Sequence, residues 1–349
     1  LKELISIIEL ADRFRREEVD CALATVVSVA GSSYRRIGAR LLVGADGTFV
    51  GGISGGCLEG DALRRARQSI FGGRSSVQVY DTLDSADRTI GIGLGCNGRI
   101  EVLFKPIDFG DPRNPIEILR QLPGSRVPQI LVQTIAAERS RIRLGDLYLL
   151  PENSLEVAAG RSVVRSYRDA GGGRYARLLE RVRPAIHLVV VGTNYDILPT
   201  VSLARRLGWR VTHIGARRKF SREVVALTHR SVDYSAAAEV RLDDHTALVC
   251  MSHDYERDRD MLRTFLPRHP TYLGVLGPRK RTEKLAADLL REDGLDLLAY
   301  PKLYAPVGLD IGAETPEEIA LALCAGIVAA FRDRPGRPLR QREGPIYPR

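Results

Sequence analysis

The second half of the chain constrains the fold most, because short apolar segments there alternate with helical ones. "IHLVVVG" (186–192), "RVTHIG" (210–215), "TALVCMS" (246–252) and "YLGVLG" (272–277) are short runs rich in apolar and β-branched residues, and each ends in glycine or serine. Such runs show no polar alternation, so they read as strands buried on both faces. Helical segments, such as the one from about Ile197 to Leu207, separate them. Strand, helix, strand in repetition is the pattern of crossover connections, and it predicts a Rossmann-like, doubly wound parallel sheet over 184–332. The last helix of that domain begins at a capping box, Thr315 and Glu318 around Pro316, and runs to Phe331.

The first half has a different rhythm. An opening helix over about 3–17 leads into "CALATVVSVA", a buried strand. "ARLLVGADGTFVGG" carries an Asp-Gly hairpin signal, and Ala62 to Phe71 has helical character. Further strands are predicted at "SVQVYDT", "RIEVLFKPI", "QILVQTIA" and "LGDLYLLP". This is a mixed α/β domain over 1–183. Glycines, charges and Pro184 in "RDAGGGRYARLLERVRP" point to a linker there, and residues 333–349, rich in proline and arginine, to an extended basic tail.

Several function classes are disfavoured. No run of 18 apolar residues is present, so no membrane-spanning helix is expected. "LKELISIIEL" lacks the pattern of a secretory signal. Five cysteines without a CxxC make neither a disulfide framework nor a structural zinc site, which fits a reducing, cytoplasmic compartment. Lys and Arg number 52 against 43 Asp and Glu, a net charge of +9, but the arginines are spread along the chain with no groove-reading motif. Nucleic acid is therefore not the expected partner; an anionic ligand or an acidic protein suits that charge better. A symmetric homodimer is the default expectation for assembly.

The candidate site residues fall in loops. Cys21, Cys250 and Cys324 lie in apolar stretches and read as core residues. Cys57 and Cys96 lie in glycine-rich loops, "GGISGGCLEG" and "GLGCNG". Gly55 and Gly56 before a helix start would bring N–H groups together and lower a thiol pKa, so that Cys57 is available as a thiolate to a transition metal, with Glu59 placed to handle a proton. A loop cysteine filling a small gap gives the same local pattern. In the turn after the first strand of the second domain, Gly192 stands where a dinucleotide motif begins, but Asn194 replaces the glycine that lets a pyrophosphate approach. Gly215, followed by Arg217 and Arg218, stands where a ribose-binding acid is expected, so NAD(P) is not the expected ligand. His253 and Asp254, which could transfer a proton or hold a ligand, and Gly277 with Arg279 and Lys280, which could face an anion at a helix start, follow other strands, where ligands of open α/β sheets bind; the first pair is equally readable as a helix cap and the second group as a solvated basic end.

Taken together, "GSSYRRIGARLLVGADGTFVGGISGGCLEG", "GIGLGCNGRIEV", "MSHDYERD", "YLGVLGPRKRTEKL" and "APVGLDIGAETPEEIALALCAGIVAAF" resemble the XdhC/CoxI family, the xanthine dehydrogenase accessory factors. The resemblance implies a molybdenum-cofactor (molybdopterin) chaperone that holds the cofactor while the metal gains its sulfur and helps insert it into a molybdenum hydroxylase of the xanthine or CO dehydrogenase type. A carrier of this kind needs no turnover of its own. The recipient hydroxylase is then the implied partner, and a cysteine desulfurase a further one. By the same resemblance Cys57 and Cys96 are the two glycine-loop cysteines, contacts for the cofactor or its molybdenum, and His253 and Asp254 form the family's His-Asp element. The departures are Asn97 after Cys96, Asn194 and Gly215. An NAD(P)-dependent oxidoreductase and a ligand-free regulatory protein are the rival readings.

Overall fold

The computed structural model describes residues 1–31, 33–56, 58–81, 98–154, 162–344 and 346. The chain divides into two compact units, Leu1–Pro184 and Ala185–Arg349.

In the first unit α1 (Lys2–Arg16) is followed by β1 (Cys21–Gly31), β2 (Arg40–Gly44), β3 (Phe49–Gly51), α2 (Glu59–Gly72), β4 (Ser76–Asp81) and β5 (Gly98–Pro106). These strands form an antiparallel sheet in the order β3-β2-β1-β5-β4, so β1 is central. Its apolar run is explained by burial on both faces. Ala22, Ala24 and Val26 pack with Ala62 and Ala66 of α2, while Cys21 and Leu23 pack with Ile7, Ala11 and Phe14 of α1. The Asp-Gly turn between β2 and β3 is held by Asp46, whose carboxylate accepts from Thr48 N at 2.8 Å.

A second antiparallel sheet of the same unit follows α3 (Pro115–Leu119). It comprises β6 (Gln129–Glu138), β7 (Leu147–Pro151), β8 (Val163–Arg168) and β9 (Arg174–Val182), in the order β7-β6-β9-β8. Here the sequence reading is corrected. The stretch taken for a linker contains β9, which pairs with both β6 and β8. Only Asp169 to Gly173 is a turn, closed by Asp169 N donating to Gly173 O. The charged residues of β9 have tertiary partners that local composition does not reveal. Arg177 lies over the rings of Tyr148, Tyr167 and Tyr175, and Glu180 pairs with the buried Arg40 at 2.8 Å.

The second unit is a Rossmann-like doubly wound domain. Its strands are β10 (His187–Val191), β11 (Arg210–Gly215), β12 (Arg230–Asp233), β13 (Thr246–Cys250), β14 (Tyr272–Val275) and β15 (Leu303–Tyr304), all parallel, in the order β12-β11-β10-β13-β14-β15. Crossovers include α4 (Ile197–Arg206), α5 (Arg222–Leu227), α6 (Tyr255–Phe265) and α7 (Arg279–Asp293), and α8 (Pro316–Phe331) packs beside α4. β12, with a single apolar residue, and β15, only two residues long, do not stand out in the sequence. Core residues lie on both faces of the sheet: Val189, Leu248 and Leu273 in one cluster, Val190, Val249 and Tyr272 in the other. The tail after α8 is not simply extended. It turns in a short 3-10 segment at Leu339–Gln341, and Gly336 approaches Leu309 so closely that a Cβ would lie 2.7 Å from its side chain.

Candidate functional site

In the first unit the glycine loop before α2 is built around Ser54 and Glu59. The Glu59 carboxylate accepts from Ser54 N at 2.9 Å and from the Ser54 hydroxyl, and that hydroxyl oxygen in turn accepts from Gly56 N at 3.2 Å and Leu58 N at 3.1 Å. Burial pushes the Glu59 carboxyl up, but the donors from Ser54 outweigh it and hold the group below the usual carboxylate range. Glu59 is thus a fixed acceptor that braces the loop. α2 starts at Glu59, three residues before Ala62. Gly56 has φ +112 in open space, and Gly55 lies against the ring of Tyr34, which is 73% exposed. Cys57 and Cys96, the two cysteines expected to contact a cofactor, lie outside the described residues. Cys21, Cys250 and Cys324 are buried, and desolvation raises all three thiols, Cys21 and Cys324 to about 12. Such thiols are inert core residues.

In the second unit the strand order reverses direction between β10 and β13, which makes the crevice at their carboxyl ends the switch point where open α/β sheets bind ligands. Gly192 ends β10 with φ +145, and a Cβ there would lie 2.6 Å from Met251 O; no other residue fits. Two side-chain links span the crevice. Asn194 Nδ2 donates to Ser252 O, and His253 Nε2 lies 2.6 Å from Asp196 Oδ2. Asp196 precedes α4 but makes no capping bond with its side chain, and its other oxygen, Oδ1, is buried with no hydrogen-bond partner among the described residues. His253 has φ +58, a conformation that costs a non-glycine residue about 1 kcal/mol or more, and its side chain is half exposed.

Asp254 caps α6, accepting from Arg257 N at 3.2 Å. Behind it Asp258, fully buried, accepts from Ser252 N and Oγ and pairs with Arg281 of α7 at 2.6 Å. Burial pushes the Asp258 carboxyl up, against the pull of Ser252 and Arg281. Gly277 has φ +123 and leads into α7 one strand further along; Arg279 and Lys280 are exposed there and make no ion pair among the described residues.

The expected ribose position is closed by packing. A Cβ on Gly215 would lie 2.4 Å from Thr193 Cγ2 and 3.0 Å from Gly192 O. Next to it His213, buried, donates from Nε2 to Gly192 O at 2.5 Å. Arg217 uses its backbone N–H on Asp233 at 2.9 Å, while the side chains of Arg217 and Arg218 are exposed.

The structure therefore gathers Gly192, Asn194, His253 and Asp254 at one crevice, with Gly277 and Arg279 one strand away on the same sheet edge. Sequence reasoning missed Asp196, Ser252, Asp258 and Arg281. An acid just before a helix reads as a cap, and only strand order brings Asp196 against a histidine 57 positions away.

Residues 188–327 match the XdhC Rossmann domain, and residues 14–81 match the XdhC and CoxI family. Among similar proteins is one from Bacillus subtilis named as a probable subunit of xanthine dehydrogenase, 27% identical over 334 residues, covering 91% of this chain and 96% of that one. The molybdenum cofactor insertion chaperone PaoD of Escherichia coli is 24% identical over 311 residues, 88% of this chain and 82% of its own length. A solved structure described as a xanthine dehydrogenase from Bacillus halodurans superposes with a TM-score of 0.73 at 25% identity, covering 94% of this chain and 96% of that one. The matched regions fall on the elements that build the Ser54–Glu59 loop and the crevice, and the chain belongs to the XdhC/CoxI family.

Proposed function

We propose that the protein is a carrier for the molybdenum cofactor that receives and protects the molybdopterin, assists its sulfuration and hands it to a molybdenum hydroxylase. The observation that carries this reading is the Ser54–Glu59 frame around position 57, in a chain similar over most of its length to a protein named as a molybdenum cofactor insertion chaperone. The Glu59 carboxylate and the Ser54 hydroxyl pin the backbone at Ser54, Gly56 and Leu58, and a pre-organised backbone lowers the entropic cost of a cargo contact. Cys57, with Cys96, is the soft thiolate contact for the cofactor or its metal in this reading. The switch-point geometry argues against NAD(P) as the ligand of this crevice. The Asn194 side chain is tied across the crevice, and Gly215 leaves no room for an acid.

The test is Cys57→Ala, purified from a molybdenum-replete host. Molybdenum and pterin per chain should fall at least about tenfold with melting temperature nearly unchanged, since a loop thiol contributes at most about 1 kcal/mol to folding. Cys324→Ala, in the core of α8, should lower the melting temperature and leave cofactor content unchanged. Cofactor content equal to wild type in Cys57→Ala would remove the thiol from the proposed role.

A further inference from the structure

In a dinucleotide-binding fold, the positive end of the helix after the first strand meets a pyrophosphate. Here the protein supplies its own anions at that place. Asp196 sits at the start of α4 and Asp254 at the start of α6, the two helices that follow the switch-point strands β10 and β13. A phosphate approaching this crevice would meet two carboxylates. The Asp196 carboxylate can only accept, so the proton of the His253 imidazole resides on Nε2, which faces it at 2.6 Å. In the neutral imidazole Nδ1 then carries a lone pair, and it has no partner among the described residues. The strained backbone of His253 and the buried, unpartnered Oδ1 of Asp196 mark a pair held in place at a cost to folding, as at ligand sites.

We propose that the Asp196–His253 pair is a recognition element for a planar heterocycle that presents a lactam N–H: Asp196 is the positioning residue, and His253 Nδ1 is the acceptor that receives the donor. The inference rests on the reading of the chain as a pterin carrier, and it adds which end of the cargo the crevice takes, the heterocycle rather than a phosphate. Tyr195, between Asn194 and Asp196 in the chain, is exposed and is an aromatic side chain of the same turn.

Two measurements on the full chain test this. Two-bond proton–nitrogen spectra of histidine-labelled protein should show His253 as the Nε2–H tautomer in wild type and as a tautomer mixture in Asp196→Asn. In fluorescence titrations 6-hydroxymethylpterin should bind, and its N3-methyl derivative should bind at least about tenfold more weakly, the effect of one lost hydrogen bond. His253→Ala, which truncates a half-exposed side chain, should abolish that discrimination, and millimolar pyrophosphate should not displace the probe. An Nδ1–H tautomer in wild type, equal binding of the two pterins, no binding of the probe, or displacement by pyrophosphate would each overturn the inference. The carrier reading is decided separately, by the molybdenum and pterin that co-purify with the untreated protein.

Discussion

His213 shows how one side chain near the crevice sets a measurable property of the whole fold. It is buried, donates from Nε2 to Gly192 O, and leaves Nδ1 without a partner among the described residues, so its imidazole is held neutral. Desolvation, the dominant effect, lowers its pKa below 6.5, and the carbonyl of Gly192 only partly offsets this. A depressed folded-state pKa means that the unfolded chain binds the proton more readily. The stability contributed by the neutral ring is therefore complete above about pH 7 and is lost as pH falls from 6.5 towards the folded-state value. Urea unfolding between pH 7.5 and 5 should show a decline of up to about 1.4 kcal/mol per pH unit from this group. His213→Gln keeps a donor and cannot titrate, so it should flatten that part of the decline. An equally steep profile in the variant would assign the effect to other groups, such as His229, whose pKa is also lowered by burial and by Arg205 and Arg210.

Among the elements, the end of β11 is where a single position separates this domain from a dinucleotide-binding one. Installing the missing acid as Gly215→Asp is the obvious attempt to restore ribose binding. Because a Cβ there would lie 2.4 Å from Thr193 Cγ2, the substitution should cost about 1–3 kcal/mol through overpacking and should not produce NAD binding. Thermal melts and calorimetric titration with NAD check both parts; a variant as stable as wild type that binds NAD at about micromolar affinity would show that the turn yields readily. The alternation of strand and helix that defines this unit is legible in the sequence, because apolar runs such as "LVVV" and "ALVC" are too buried to be anything but central strands. β12 is not, since only Val232 of its four residues is apolar and buried and its place is fixed by pairing with β11.

At the scale of the first unit, the two antiparallel sheets are joined by an ion pair that no local pattern announces. Arg40, 3% exposed, donates to Glu180 through both terminal nitrogens, and the carboxylate lies where a side chain at Gly38 would otherwise be. Removing one partner strands a buried charge, so Glu180→Ala should lower the unfolding free energy by about 3–5 kcal/mol. A change below about 1 kcal/mol would mean that water reaches Arg40 in the variant. Glu180 belongs to β9, the charged, glycine-flanked stretch that pairs with β6 and β8 as a central strand.

The sequence by itself determined the class of each half, the glycine turns, the capping box of α8 and the family, because those features are carried by residues a few positions apart: periodicity, turn chemistry and short motifs. The tertiary structure alone decided that β9 is a strand, that Gly215 is required by packing, and that Asp196 faces His253. Each depends on residues dozens of positions apart meeting through strand order, and a carboxylate before a helix or a histidine after a strand has the same local pattern whether or not its partner arrives.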